Sequence, residues 1–98
     1  MSRFDERENA FEAKFAHELE QAYRARARAI RALGLWAAEK RGDTGVQAEA
    51  YARALVDTDI ISGPEATIEC LVRDLATLGI DQAEIELKCD ALSAAHGS

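Results

Sequence analysis

The side chains able to do chemistry in this chain are few, and their spacing suits contact better than catalysis. His17 is followed by Glu18, yet no second histidine stands at metal-binding distance along a helix, so no metal site is expected. Cys70 and Cys89 lack the short paired spacing of a zinc site or the density of a disulfide scaffold; two reduced, buried thiols are expected. No serine or cysteine lies in a nucleophile motif, and the carboxylates read as exposed helix charges, so no enzyme is predicted. Arg24, Arg28 and Arg31 recur at helical spacing and form a candidate weak anion or nucleotide site. No glycine-rich phosphate loop accompanies them, and pairing with acidic helices of the same chain is the preferred reading. His17, three residues after Lys14, is a candidate pH sensor set against the plainer reading of a surface histidine.

Apolar and charged side chains at the front of the chain carry more information. In FDERENAFEAKF, Phe4, Phe11 and Phe15 are spaced by seven and then four residues, which places three rings on one helix face, continued by Leu19. Arg7, Glu8, Glu12 and Lys14 flank them as candidate polar contacts. Glu8 and Glu12 repel at their spacing, so an isolated segment is poorly self-stabilised and contacts elsewhere must supply the difference.

The elements that must position these residues are helices. The 98 residues suit one compact domain, and Ala, Glu, Leu, Arg and Lys dominate, with one Pro and six Gly. The alanines predict closely packed helices. The net charge of −6 excludes a broad cationic footprint for nucleic acid. Charge is nonetheless segregated: three basic and six acidic residues in 1–20, six and one in 21–41, three and eleven in 42–98. A basic helix face packed beside acidic helices is the expected outcome. No apolar run reaches membrane-spanning length and no signal peptide is recognisable, so no membrane insertion and a cytoplasmic protein are expected.

Thr44 with Gln47, Ser62 with Glu65, and Asp81 with Glu84 fit the capping-box spacing. Ile80 and Ile85 flank the third as a hydrophobic staple, Gly42 and Gly79 sit where preceding helices need a left-handed stop, and Pro64 fits a first turn. Helices are predicted near 45–59, 63–78 and 82–95, after one helical pattern from about 4 to 41. Their expected core stripes are Leu19, Tyr23, Ile30, Leu33 and Ala37; Tyr51, Ala54 and Leu55; Ile68, Leu71, Leu75 and Leu78; and Ile85, Cys89 and Leu92, with Trp36 anchoring one end. The fold class expected is all-α: a four-helix bundle over 19–98 and a long, mobile N-terminal helical extension over 1–18.

The first helix is too long for its neighbours. From residue 4 to 41 it would measure roughly 57 Å, against about 20 to 25 Å for the others. Its terminal rings then fold back into the core, enter another protein's groove, or pair with a second copy.

FDERENAFEAKFAHELE at 4–20, GLWAAE at 34–39 and AEAYARALV at 48–56 closely resemble the zeta subunit of bacterial F-type ATP synthases, and the likeness covers most of the chain. The resemblance implies a regulatory inhibitor whose bundle docks it while the segment from Met1 to about Ala16 inserts at a catalytic interface near the rotor stalk and blocks ATP hydrolysis. Implied partners are the alpha, beta and gamma subunits of the catalytic head, reached at the cytoplasmic face of the inner membrane, with the free protein a monomer. No cofactor is implied beyond the nucleotide already mentioned. On this resemblance Phe4, Phe11 and Phe15 become apolar anchors, and Arg7, Glu8, Glu12 and Lys14 polar partner contacts. RARARAIRA and the early end in AAHGS depart from the family pattern, outside the inhibitory block. The competing function is a small helical interaction or dimerisation module with no effect on an ATPase.

Overall fold

A computed structural model describes the backbone of residues 3–96 and the side chains of residues 16–96. Helix α1 spans Arg3–Arg41, α2 Gly45–Ser62, α3 Pro64–Leu75 and α4 Gln82–His96, with a 3-10 turn over Ala76–Leu78 after α3. The described residues are all-α, in four helices as expected.

The local chemistry explains most boundaries. At the end of α1, Gly42 takes φ 87° and the amide of Asp43 reaches back to the carbonyl of Ala38 at 2.8 Å, satisfying a carbonyl that the helix leaves open. Gly79 closes the 3-10 turn in the same left-handed region. Asp81 caps α4 as expected: its Oδ1 accepts the amide of Glu84 at 2.9 Å, and Ile80 and Ile85 both pack on the core.

Two expected caps are corrected. Thr44 is extended and makes no side-chain cap; the amide of Gln47 reaches its backbone carbonyl instead. Ser62 lies in the last turn of α2, because Gly63 takes the junction. With φ 91° and ψ 174°, open to glycine at little strain, Gly63 donates its amide to Asp59 O at 3.0 Å and accepts the amide of Thr67 at 3.3 Å. One residue ends α2 and starts α3, with Pro64 in the first turn.

Short connections make successive helices antiparallel, and α1 lies diagonally across from α3, with α2 and α4 between them. The α2–α3 link, the last turn of α4 and the departure of α1 therefore converge on one end, where the Arg28 guanidinium meets the carbonyl of His96 at 3.4 Å. The core joins Ile30, Leu33 and Ala37 of α1 to Leu55 of α2, Leu71 and Leu75 of α3 and Ile85 of α4, with Trp36, Tyr51, Ile68, Cys89 and Leu92 packed around it. Each large aliphatic side chain so buried contributes about 1.5–3 kcal/mol. The helices approach closely where side chains vanish: a Cβ added at Gly34 would sit 2.7 Å from the Cα of Ala52.

Four core expectations are corrected. Leu19 and Tyr23 are 47% and 71% exposed, since α1 is leaving the bundle there and only the last turns of α2 and α4 come near it. Leu78 is 46% exposed because the 3-10 turn rotates it off the stripe of α3. Ala52 rather than Ala54 is buried, since Ala52 faces Gly34. Both cysteines are free but only half-buried.

Candidate functional site

The candidate site is the end of the bundle from which α1 departs. Exposure along α1 changes sharply there. Every described side chain from Ala16 to Arg24 is exposed, Ala25 to Ala27 are half-buried, and Ala29 and Ile30 are in the core at 2% and 1%. The side-chain contacts of Phe4, Arg7, Glu8, Phe11, Glu12, Lys14 and Phe15 lie outside the described residues.

Arg26 fastens the point of departure. Its Nη2 and Nε donate to the two carboxylate oxygens of Asp59 at 2.9 and 3.1 Å, a bidentate pair between α1 and α2. Thr67 of α3, fully buried, donates its hydroxyl to Oδ1 of the same carboxylate at 2.9 Å. Three helices thus share one polar knot. Burial pushes the Asp59 carboxyl upward, but the hydrogen bonds from Arg26 and Thr67 and the guanidinium charge together hold it below its ordinary value. The Asp59 hydrogen bond raises Arg26 against the opposing effect of burial.

A signal for this knot was present in the sequence. Arg26 falls three and seven residues before the core residues Ala29 and Leu33, and Asp59 four after Leu55, so opposite charges occupy core-facing positions on neighbouring helices.

The other candidate residues are placed as follows. Arg31 pairs with Glu49 of α2 at 2.6 Å and Arg24 with Glu20 of its own helix at 2.7 Å, so the basic stretch does meet acidic partners within the chain. Arg28 and Arg31 line one shallow groove with Arg53 and Glu49, whereas Arg24 lies in a different recess. The three arginines do not converge. His17 is exposed and its ring Nε2 lies 3.4 Å from the side-chain Nε2 of Gln21.

At the opposite end, Tyr51 donates to Asp74 at 2.8 Å, Cys70 lies 3.4 Å from the same carboxylate, and the Arg41 guanidinium stacks 4.4 Å above the Tyr51 ring. Burial, then Asp74, pushes the Tyr51 hydroxyl well above its usual range and raises the Cys70 thiol. A thiol shifted this way holds less thiolate, which suits a packing role. Among the described residues no group of acids, histidines and cysteines is gathered to hold a metal, and no helix is long and apolar enough to cross a membrane.

Searches against curated proteins and against solved structures returned no match. A family model does match: that of ATPase inhibitor subunit zeta, over residues 1–96, so it includes both the departing helix and the bundle. Subunits of that family are regulatory rather than catalytic, and membership implies association with ATP synthase. With all but the last two residues covered, the chain belongs to the ATPase inhibitor subunit zeta family.

Proposed function

We propose that the chain inhibits ATP hydrolysis by inserting residues 1–18 at a catalytic interface near the rotor stalk, while residues 19–98 remain outside as the docking domain. The supporting observation is that α1 continues as a helix far beyond Arg26, its first hydrogen-bonded tie to another helix among the described residues. An amphipathic helix that projects from a bundle can lay its apolar face in another protein's groove.

In this reading Phe4, Phe11 and Phe15 are the anchors, and Arg7, Glu8, Glu12 and Lys14 meet polar groups at the groove's edges. Three buried rings at about 1.5–3 kcal/mol each offset much of the cost of ordering some fifteen residues, though not all of it. The bundle then supplies the rest by raising the effective concentration of the helix. The receptor is the catalytic head, composed of alpha, beta and gamma subunits, met at the cytoplasmic face of the inner membrane, and the inhibitor arrives as a monomer.

Deleting residues 2–16 should leave the helical spectrum of the bundle intact and abolish suppression of ATP hydrolysis by a purified head. Equal inhibition by truncated and full-length chains would rule the reading out.

A further inference from the structure

Four large apolar side chains near the exit end stay exposed, and the inserted segment does not account for them. Leu19 and Tyr23 of α1 are 47% and 71% exposed, and Ile60 and Ile61 at the end of α2 are 67% and 82% exposed. Large aliphatic residues that exposed, adjacent in sequence and at a helix end, are not explained by the core. Between the two helices lies a recess of about 310 Å³ lined by Tyr23, Ala27, Val56 and Ile60, with Arg24, Arg26 and Asp59. The charges of Arg26 and Asp59 are spent on each other, so the recess offers mainly apolar surface.

We propose that Leu19, Tyr23, Ile60 and Ile61 form a second docking surface that packs on an apolar patch of the same ATPase head, beside the mouth of the groove that takes the helix. This rests on the insertion reading above. Continuity selects the occupant. Phe11, Phe15, Leu19 and Tyr23 recur every four residues along one helix, so a receptor that holds Phe15 meets Tyr23 about 12 Å further along the axis. Ile60 lines the same recess as Tyr23 and widens the contact onto α2. A second copy seated there would lie across the base of the inserting helix and obstruct it. A small molecule is disfavoured, because the recess is open and at the lower bound of ligand-pocket volume.

Hydroxyl-radical footprinting of the full chain, alone and with the purified ATPase head, tests the surface. Val46, 86% exposed and at the opposite end, serves as the control. Oxidation of Tyr23, Ile60 and Ile61 should slow several-fold in the complex together with that of Phe11 and Phe15, while Val46 is unchanged. Protection of Phe11 and Phe15 without Tyr23, Ile60 and Ile61 overturns the second surface and leaves insertion standing. Protection of none removes both.

In inhibition titrations, full-length I60S/I61S should raise the half-inhibitory concentration at least tenfold with the same maximal inhibition. Y23S, on the other helix, is the independent second variant. A shift below twofold in both, with helical spectra preserved, sinks the proposal. So does a dimer in sedimentation that I60S/I61S dissolves without weakening inhibition, which would assign the patch to a second copy.

Discussion

Within the single helix α1, residues 29–38 place Ala29, Ile30, Leu33, Ala37 and Ala38 in the core, whereas residues 16–24 expose every side chain. Both stretches are helical and both carry apolar residues at helical spacing. What separates them is the reach of α2 and α4, with 18 and 15 residues against 39 in α1. Periodicity therefore reports which side chains share a face, and the neighbours' lengths decide whether that face is covered.

The comparison breaks most visibly at paired leucines. Leu33→Ala should cost about 2–5 kcal/mol, since Leu33 is fully buried, while Leu19→Ala should stay within roughly 0.5 kcal/mol. At about 4–8 °C per kcal/mol, thermal melting separates the two plainly, and equal losses would mean that the outer stretch is packed after all.

The boundary itself is probed at Asp59. Asp59→Asn removes the charge from a carboxylate held by Arg26 and Thr67 and should cost about 1.5–3 kcal/mol at neutral pH. Because the folded carboxyl titrates below its ordinary value, this contribution is complete above the usual carboxylate range and is lost as pH falls through the depressed folded value. Urea titrations at stepped pH should show the gap between wild type and variant closing on acidification; a gap constant into strong acid would refute the assignment.

A smaller effect sharpens the inner stretch. Alanine is the better helix former by about 1 kcal/mol, so Gly34→Ala would stabilise an isolated α1. In the bundle the added carbon would stand 2.7 Å from the Cα of Ala52, and a backbone atom cannot swing aside. Overpacking at about 1–3 kcal/mol should win, giving a lower melting temperature that Ala52→Gly does not restore.

Much of the architecture was legible in residue order. The left-handed stops at Gly42 and Gly79, the Asp81 cap and the stripes through Ile30, Leu33, Leu55, Leu71, Leu75 and Ile85 all follow from local chemistry and are found in place. Leu19 and Tyr23 were misread because a one-dimensional pattern says nothing of how far another helix extends. Ser62 was misread because serine is a good cap, but Gly63 could take the junction and α2 ran on through Ser62. The Arg26–Asp59–Thr67 knot escaped because each residue has an ordinary surface reading alone, and only antiparallel pairing of α1 and α2 brings the charges together.

The convergence of three chain features on one end has a practical corollary for instrumenting the protein. A fluorophore or bead tether joined behind α4 would crowd the pole from which α1 emerges. One grafted into the turn at Gly42–Thr44 or Gly79–Asp81 would ride on the far pole and leave the exit of α1 uncrowded.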